Sequence, residues 1–576
     1  MPKGIYDGFS CVGKKKETFI PQSHQKETMK YFLKSPHKGL LLFHELGSGK
    51  TCTSIMIGDK MLERGMVEKV YILTPGSLRQ GWISEYCMKC GMDPIYLKKN
   101  YIFVTYNYTI GKNLPDFNNS LVIIDEVHNL INGVKNMSFH SSAIYNALMA
   151  ANCRIVALSG TIVYNYVYEF ALLGNLLKPG GEFPEIRKEK DLNVEAFMKF
   201  FNIDEDGYLR PKNSTRFKKR LEGIISYFPG AGKEYVPEVL EQKPIKLLMT
   251  PEQEMNYWIK EDQERKLAKK PATSLMGKNK KVYDVLMKMY IMAQKNILTR
   301  LASNFYYSTA SVDIEEKTTD DIKSALPEDD KELNEDDADI AVGKTLKRDI
   351  LISEGGWVEK DKFKDGALFK TYSTKFTALL TNIVLHNDQK HVVFTFFKER
   401  AGVYLIKSIL AMCGIKSAIF SGDLNDDDRR RLLAKYNDPK NRYGDVIRVL
   451  LVTEAGAEGI SVLEARHMHI LESSNRVNKT TQAIGRVARF KSHIELPPEE
   501  RNVKIWRYWS IATDEPLTFT AKSIAPDGQI LDVTKTVTDK RCIDELLYDK
   551  GMKIRRETES FKKLLKSVSV TSYKDE

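Results

Sequence analysis

The sequence predicts an α/β protein in which two parallel-sheet domains follow one another along the chain. Short apolar runs recur between residues 39 and 158, helix-length segments lie between several of them, and the same alternation returns after residue 391. Strands of a parallel sheet are covered by helices on both faces, so they occur as continuous apolar runs. A chain of 576 residues has room for about three to four domains of ordinary size.

Each expected strand of the first domain is short and ends in polar or glycine-rich sequence. Helix-length segments at 50–64 and 141–151 separate some of these strands, which is the pattern of a parallel sheet with helical crossovers. The expected strands are Gly39–Phe43, Val70–Thr74, Tyr101–Thr105, Ser120–Asp125 and Arg154–Ser159.

A lysine-rich segment of helical character interrupts the strand pattern. Within it, residues 313–339 hold 13 Asp and Glu against 3 Lys, and large apolar residues are few. This composition is typical of a disordered or loosely held linker, which we expect over 311–340. The expected organisation is a first domain over 1–184, a helical insertion over 185–369, a second domain over 370–512 and a C-terminal extension over 513–576.

The second domain repeats the strand–helix alternation, and the extension ends in a helix. Helices are expected over 399–413 and 425–436, and residues 538–568 carry apolar side chains at approximately helical spacing, which predicts a docked amphipathic helix. The expected strands are Val392–Phe396, Lys416–Phe420, Ile447–Thr453 and His467–Leu471.

Composition and charge narrow the class of protein. With 42% hydrophobic and 28% charged residues the chain is globular, and it has no run approaching the ~18 apolar residues of a membrane span. The net charge is +12, and outside residues 313–339 the chain is more basic still, which favours a polyanionic partner such as nucleic acid. Positive charge that is spread evenly over the surface and serves solubility would give the same net value, so charge alone does not establish a nucleic-acid partner. Seven scattered cysteines and a polar N-terminus indicate a soluble protein of a reducing, intracellular compartment.

The segment HELGSGKT, His44–Thr51, has the strand–loop–helix context of a phosphate-binding loop. Gly47, Ser48 and Gly49 can bring backbone amides to phosphate oxygens at a helix N-terminus. Lys50 is expected to reach the β- and γ-phosphates, and Thr51 to ligate Mg²⁺. The sequence departs from the general pattern at one position, because His44 stands where that pattern has glycine.

An acidic pair follows the apolar strand that begins at Ser120. Asp125 and Glu126 lie at its carboxyl end, which is the edge where ligands bind in open parallel sheets. Asp125 is expected to hold Mg²⁺, and Glu126 to orient or deprotonate the attacking water. An acidic pair after a strand is also common on ordinary surfaces, so the interpretation depends on the phosphate loop upstream.

The second domain carries QAIGRVAR over residues 482–489. Arg486 and Arg489 are three residues apart, on one face if the segment is helical. Phosphoryl transfer needs cations on the charge that develops at the γ-phosphate, and an arginine finger in cis can supply them. In isolation the same pattern is typical of a basic helix face that binds nothing.

In their order, these segments resemble the motifs of a superfamily 2 helicase or translocase. HELGSGKT resembles motif I, Asp125–His128 motif II, Ser159–Thr161 motif III, Thr453–Ser461 motif V and Gln482–Arg489 motif VI. PGSLRQGW and residues 159–179 are similar to Swi/Snf-type translocases. Residues 477–501 and 538–553 resemble the helicase-like ATPases of large nucleocytoplasmic DNA viruses, the group with the poxvirus early transcription factor small subunit and nucleoside triphosphate phosphohydrolase I.

The resemblance implies that both sheet domains are RecA-like and assigns further roles. Gln25 stands where the family reads adenine, Gln482 would face the γ-phosphate, and Gly459 would lie near the nucleotide. His128 and residues 159–161 would couple ATP to nucleic acid. The cofactors implied are ATP and Mg²⁺.

The function implied is an ATP-dependent helicase or translocase that moves on DNA or RNA in viral transcription. The alternative is a transcription-factor-like ATPase subunit that binds DNA and acts with RNA polymerase without unwinding strands. A third hypothesis, a non-catalytic scaffold, would predict eroded catalytic positions, whereas Lys50, Glu126 and Arg489 are all present. The expected partners are nucleic acid, DNA before RNA, and viral RNA polymerase or transcription factors, with no membrane; the expected location is the virion or host cytoplasm.

Overall fold

The computed structural model divides the chain into two compact units, each with its own parallel sheet. The first unit comprises Met1–Tyr235, Arg476–Asn478 and Gly551–Glu576, and the second comprises Val236–Asn475 and Lys479–Lys550. The structure describes residues 5–7, 20–45, 48–75, 79–84, 99–106, 114–160, 166–180, 182–184, 192–204, 209–212, 214–230, 235–268, 296–306, 372–398, 401–457, 460–475, 477–524 and 530–571. The expected acidic linker at 311–340 lies outside these residues.

Among the described residues, the sheet of the first unit has seven strands in the order β1-β4-β3-β5-β6-β2-β9. Every pairing along it is parallel except that of β1 with β4. A separate antiparallel pair is formed by β7 and β8. The strands are β1 Ile5–Asp7, β2 Gly39–His44, β3 Lys69–Thr74, β4 Tyr101–Thr105, β5 Ser120–Ile124, β6 Arg154–Leu158, β7 Phe201–Ile203, β8 Leu209–Pro211 and β9 Ile225–Phe228.

Both faces of this sheet are buried, and the strand β2 shows why its sequence is continuously apolar. Leu40 and Leu42 pack into one hydrophobic cluster, and Leu41 and Phe43 into another, because successive side chains of a strand point to opposite faces. The helices of this unit are α1 Ser23–Lys34, α2 Lys50–Glu63, α3 Arg79–Ser84, α4 Val127–Lys135, α5 Phe139–Ala150, α6 Phe170–Leu177, α7 Leu192–Met198 and α8 Ser214–Leu221.

The second unit is built on a parallel sheet with the order β10-β16-β15-β12-β14-β13, and β11 also pairs with β16. An antiparallel hairpin of β17 and β18 follows. The strands are β10 Glu238–Glu241, β11 Ile245–Leu248, β12 Lys390–Thr395, β13 Ser417–Phe420, β14 Val449–Thr453, β15 Ala465–Ile470, β16 Asn502–Ile511, β17 Leu517–Ile524 and β18 Ile530–Val537. The helices are α9 Pro251–Leu267, α10 Ile297–Asn304, α11 Thr374–Leu385, α12 Val403–Met412, α13 Asp426–Tyr436, α14 Glu454–Ala457 and α15 Val477–Val487.

The last helix, α16 Ile543–Lys566, contributes its first residues to the second unit and the rest to the first. In the first unit, Phe561, Leu564 and Leu565 of α16 are buried in the cluster that covers one face of the sheet. The helix predicted over 538–568 is therefore present and packs through its apolar side chains, as its spacing indicates.

The structure differs from the sequence expectation in two segments. The segment expected to be a helical insertion contributes β9 to the first sheet and β10 and β11 to the second. The extension expected to be helical begins with the hairpin of β17 and β18. Strands β9, β10 and β11 have four residues each, which is too short for a local pattern to separate a strand from a buried helix segment. Strands β17 and β18 do alternate apolar and polar residues, so the sequence contains a signal for the hairpin.

Two further expectations concern cysteines and membrane helices. Among the described cysteines, Cys153, Cys413 and Cys542 are free, whereas Cys52 is disulfide-bonded. In the described part of the chain, no helix combines the length and the apolar character that crossing a membrane requires.

Candidate active site

Three loops of the first unit leave the same edge of its sheet. Strands β5, β6 and β2 are adjacent and parallel, in that order. The residues that follow their carboxyl ends are therefore neighbours. These are Asp125 and Glu126 after β5, Ser159 and Gly160 after β6, and, among the described residues, Glu45, Ser48 and Gly49 after β2. The topology thus brings the predicted phosphate loop and the predicted acidic pair to one edge.

The phosphate loop ends at Gly49, the residue that caps the N-terminus of α2. Its φ of +74° lies in the left-handed region, which a residue with a Cβ adopts only with strain. A Cβ at this position would also lie 2.7 Å from Nε2 of Gln25. Gly49 is therefore required both by its backbone conformation and by its close neighbour. Gly47 lies outside the described residues, so its role stays a prediction.

Gln25 is buried and ties the start of α1 to the phosphate loop. Its Nε2 donates a hydrogen bond to the carbonyl oxygen of Gly49 at 3.3 Å, and its Oε1 accepts one from the backbone N–H of Gln22 at 2.9 Å. One end of the amide thus caps the start of α1, and the other end joins this helix to the loop. The contact with adenine that the resemblance implies stays a prediction.

Lys50 begins α2, and its side chain returns toward the loop. Nζ donates to the carbonyl oxygens of His44 at 2.7 Å and Glu45 at 3.3 Å. A Cβ built on Gly160 would lie 3.8 Å from the same Nζ. The ammonium group therefore lies between the phosphate loop and the loop that follows β6, where a phosphate held by the loop would meet its charge.

Ser48 is buried in the phosphate loop, and its Oγ has no hydrogen-bond partner among the described atoms. Its carbonyl oxygen accepts a hydrogen bond from Nε2 of His24 at 2.9 Å, and burial lowers the pKa of this histidine. A buried hydroxyl without a partner is costly unless a ligand pairs with it. This observation fits a ligand rich in anionic oxygens, such as a phosphate.

The side chain of Asp125 is held by two donors from neighbouring elements. Its Oδ2 accepts a hydrogen bond from Nε1 of Trp82 at 2.7 Å and one from the hydroxyl of Thr74 at 3.4 Å. The hydroxyl of Tyr106 donates to the main-chain carbonyl of Asp125. Burial, and then the carboxylates of Asp125 and Glu126, raise the pKa of Tyr106 well above its usual value, so it stays a neutral donor.

The role of Trp82 is one that the sequence did not predict. The resemblance to Swi/Snf-type translocases includes this tryptophan but gives it no contact. No local pattern could have paired it with a carboxylate 43 residues further along the chain, because the pairing depends on how β3 and β5 lie side by side.

Glu126 occupies a strained backbone conformation and is followed by a buried histidine. Its φ is +46°, uncommon for a residue other than glycine, and it directly precedes α4. Strain of this kind costs on the order of 1 kcal/mol and clusters at functional sites. Nδ1 of His128 lies 3.4 Å from Oε2 of Glu126 and 3.0 Å from Oγ of Ser159. His128 therefore connects the acidic residue to the loop that follows β6.

Oxygen donors suited to a hard cation are present in this unit. Thr51 lies in the first turn of α2, half-buried, and Asp125 carries a carboxylate at the same sheet edge. Hydroxyl and carboxylate oxygens, completed by water and phosphate oxygens, are the ligands that Mg²⁺ prefers. The residues present therefore fit the predicted metal ion.

The predicted catalytic residues of the second unit lie on and just beyond α15. Gln482 and Arg486 are in the helix and half-buried. The helix ends at Val487, so Arg489 lies beyond it and does not share a helical face with Arg486. The backbone N–H of Arg489 donates to Oγ of Ser492 at 3.1 Å. Gly459 lies outside the described residues.

Comparison with known proteins shows which proteins this chain is similar to. Residues 374–491 match the family described as Helicase conserved C-terminal domain. A protein of Acanthamoeba polyphaga mimivirus named as an ATP-dependent RNA helicase is 25% identical, over 88% of this chain and 84% of the relative. A termination factor NPH-I homolog of African swine fever virus is 24% identical, over 92% of this chain and 76% of the relative.

A solved structure entitled Sulfolobus solfataricus SWI2/SNF2 ATPase core in complex with dsDNA is also similar. It is 15% identical, with a TM-score of 0.31, over 87% of this chain and 90% of that one.

The domain match and the viral relatives confirm the resemblance to superfamily 2 helicases and translocases. The two predicted parallel sheets are present, and most of the residues that match the Helicase conserved C-terminal domain lie in the second unit. The prediction of an ATP-dependent enzyme of the helicase or translocase type is confirmed with them.

Proposed function

We propose that this chain couples ATP hydrolysis to movement along DNA or RNA in viral transcription. The observation that carries the proposal is the arrangement at one sheet edge of the first unit, where Lys50, the pair Asp125–Glu126 and the residues after β6 come together. A cation beside a glycine loop, and a carboxylate pair at the end of β5 in the same sheet, are the parts that phosphoryl transfer needs.

The proposed division of labour in the first unit follows from chemical type. Gly47, Ser48 and Gly49 supply the backbone amides that bind phosphate oxygens at the N-terminus of α2, and Lys50 neutralises phosphate charge. Thr51 and Asp125 would hold Mg²⁺, and the bound ion would neutralise the charge that develops on the β- and γ-phosphates.

Glu126 is proposed as the residue that orients and deprotonates the attacking water. Its left-handed backbone directs the carboxylate from the end of β5, and His128 at 3.4 Å supports it from the next turn. Because His128 also contacts Ser159, a movement of the loop after β6 would be transmitted through His128 to the carboxylate of Glu126. This connection supports the coupling role that the resemblance assigns to His128 and Ser159.

The second unit is proposed to contribute Gln482, Arg486, Arg489 and Gly459. Guanidinium groups stabilise the equatorial oxygens of a phosphoryl group in the transition state of its transfer, and Gln482 would face the γ-phosphate. Differential binding of ATP and ADP would then bias the two units between states with different affinity for the nucleic-acid strand.

A second candidate is an ATPase subunit of the transcription machinery that binds DNA without separating strands. The African swine fever virus relatives named as termination factor NPH-I homologs favour it. The two candidates share the ATPase site and differ in whether duplex strands are displaced and whether RNA polymerase is bound.

One experiment tests the proposal and separates the candidates. ATP turnover is measured without nucleic acid and with single-stranded DNA, duplex DNA or RNA, and strand displacement is then measured on the best activator. We expect nucleic acid to stimulate turnover. Displacement would support the first candidate, and stimulation without displacement, together with capture of viral RNA polymerase, would support the second. Turnover that no nucleic acid changes would contradict both.

The variants Glu126→Gln and Arg489→Ala test the residues. Both should bind ATP, because the phosphate and Mg²⁺ contacts remain, and both should lose turnover, Arg489→Ala by at least ~10³-fold. Near-normal turnover in Arg489→Ala would refute the arginine's proposed role, and near-normal turnover in Glu126→Gln would refute that of the carboxylate.

A further inference from the structure

The chain's last described residues extend the edge of the first sheet. The backbone N–H of Val570 donates to the carbonyl of Ile225 at 2.8 Å, and the N–H of Tyr227 donates to Oγ of Ser569 at 2.9 Å. Oγ1 of Thr571 donates to the carbonyl of Tyr227 at 2.9 Å. The segment Ser569–Thr571, which we call the C-terminal clasp, therefore satisfies backbone groups of edge strand β9.

Beneath the clasp, Ser226 of β9 joins three elements through one hydroxyl. Its Oγ lies 2.9 Å from Nε2 of His44, 3.1 Å from Oγ1 of Thr28 and 3.3 Å from Oγ1 of Thr571. All four side chains are buried. A hydroxyl has one proton and two lone pairs, so three partners saturate Ser226. Because Ser226 is buried away from water, the loss of one of these partners leaves a polar group without a hydrogen bond.

His44 carries this network to the phosphate loop. It is the final residue of β2, its carbonyl accepts the hydrogen bond from Lys50, and its ring is fully buried. Its Nδ1 has no partner among the described atoms, so in this part of the chain the contact with Ser226 is the polar contact that fixes the ring. His44, which stands where the general phosphate-loop pattern has glycine, thus has a structural role.

Phe228 provides a second connection between strand β9 and the phosphate loop. The ring of His24 stacks on Phe228 with centroids 3.6 Å apart and planes 5° apart, and the same His24 donates to the carbonyl of Ser48. One edge strand therefore fixes both the start of the loop, through Ser226 and His44, and its middle, through Phe228 and His24. The clasp holds the outer side of that strand.

We propose that the C-terminal clasp positions the phosphate loop and thereby sets the affinity of the first unit for ATP, an inference that rests on the proposed ATPase function. Thr571, Ser226 and His44 are positioning residues, because none of them is placed at the reacting atoms. The clasp is attached to the core by the buried side chains of Phe561 and Leu565 in α16, which limit how far it can move.

The test compares two substitutions of one residue. Thr571→Val keeps the shape and removes the hydroxyl, and Thr571→Ser keeps the hydroxyl. We expect Thr571→Val to raise the Kd of a fluorescent ATP analogue and the KM for ATP about fivefold to tenfold with little change in kcat, since one buried hydrogen bond corresponds to about this factor. Thr571→Ser should restore both. Thr558→Val, a buried position in α16 outside the network, should leave both unchanged.

A double-mutant cycle tests whether Thr571 and Ser226 act on nucleotide binding through the same connection. Ser226→Ala should weaken nucleotide binding as Thr571→Val does, and the double variant should be little worse than either one, because both act through one connection. Normal affinity in a folded Thr571→Val protein, or simple additivity of the two effects, would overturn the proposal. A wild-type protein that binds no ATP analogue would instead refute the proposed function itself, so the two failures are distinguishable.

Discussion

At the scale of single residues, the contact between Trp82 and Asp125 gives the most direct prediction. The indole N–H directs one carboxylate oxygen of the proposed Mg²⁺ ligand, and such supporting contacts commonly change metal affinity or activity by about 10- to 100-fold. Trp82→Phe keeps an aromatic ring and removes the donor. We expect the Mg²⁺ concentration for half-maximal ATP turnover to rise about tenfold.

A matched control exists in the second unit. Trp258 is also buried, and its indole also donates to a carboxylate, that of Glu254 at 3.4 Å. Trp258→Phe should leave the Mg²⁺ requirement unchanged. An unchanged requirement in a folded Trp82→Phe protein would show that the indole does not support a metal ligand.

A chain of buried histidines in the second unit has one consistent neutral arrangement. Nε2 of His391 faces the carbonyl of His386 at 3.0 Å, so it must carry the proton. Its Nδ1 then accepts from Nε2 of His469 at 3.0 Å, and Nδ1 of His469 accepts from the hydroxyl of Tyr508 at 2.8 Å. Nδ2 of Asn382 completes the chain by donating to Tyr508 at 2.8 Å. A proton added to His391 would set two N–H donors face to face.

This arrangement predicts that the second unit loses stability in acid. Burial lowers the pKa of His391 to about 4 and that of His469 well below its usual value, whereas unfolded histidine titrates near pH 6.5. Between these values the unfolded state binds more protons. Stability is therefore present above pH 6.5 and falls as the pH drops, by about 1.4 kcal/mol per pH unit for each such histidine.

Urea unfolding followed by tryptophan fluorescence at pH 7.5 and pH 5 measures this effect. Trp506 is a useful reporter, because its indole donates to Nδ1 of the neighbouring His467 at 3.0 Å. We expect a clear fall in the urea midpoint at pH 5, and a smaller pH dependence in a His391→Gln variant. Equal midpoints at both pH values would contradict the neutral arrangement.

At the scale of secondary-structure elements, local pattern predicted the regular parts well. The strands around Tyr101–Thr105 and Ser120–Ile124 and the helix starting at Lys50 lie where apolar runs and helical spacing indicated. The pairing of β9 with β2, and of the clasp with β9, could not be predicted. These contacts join residues up to 345 positions apart, and nothing in a local window records them.

Element packing in the second unit depends on a buried ion pair that joins α11 to α16. Nζ of Lys375 lies 2.6 Å from Oδ2 of Asp544, and both side chains are fully buried. Asp544 also accepts from the backbone N–H groups of Ser473 and Ser510. Asp544→Asn would leave the charge of Lys375 buried and uncompensated, which costs about 3–5 kcal/mol. We expect a corresponding loss in the free energy of unfolding.

Helix α16 also carries an exposed ion pair, which serves as the control for Asp544→Asn. Asp549 pairs with Arg541 at 3.5 Å, but both side chains are largely exposed. Exposed pairs contribute only about 0–1 kcal/mol, so Asp549→Asn should change stability little. Equal effects of the two substitutions on the urea midpoint would show that the buried pair has no special role in joining the two helices.

At the scale of the whole molecule, the sequence predicted which strands the site residues follow better than it predicted the contacts that support those residues. The phosphate loop and the acidic pair were found from motif and strand context, because catalytic groups must follow particular strands. The Trp82 contact, the end of α15 before Arg489 and the network of Ser226 depend on tertiary packing. Charge distribution, in contrast, is available from sequence alone and supports a prediction for the whole chain.

The last prediction concerns the acidic run at residues 313–339, which sets 13 acidic residues against 3 lysines in a chain of net charge +12. A nucleic acid is attracted by the basic remainder and repelled by this run. Replacing the run with a neutral Gly/Ser segment of equal length should therefore tighten nucleic-acid binding at low salt. The gain should shrink as salt rises, because dissolved ions screen interactions between charges over about 10 Å at 0.1 M. A gain that persists at high salt, or weaker binding at low salt, would show that the run acts by something other than charge.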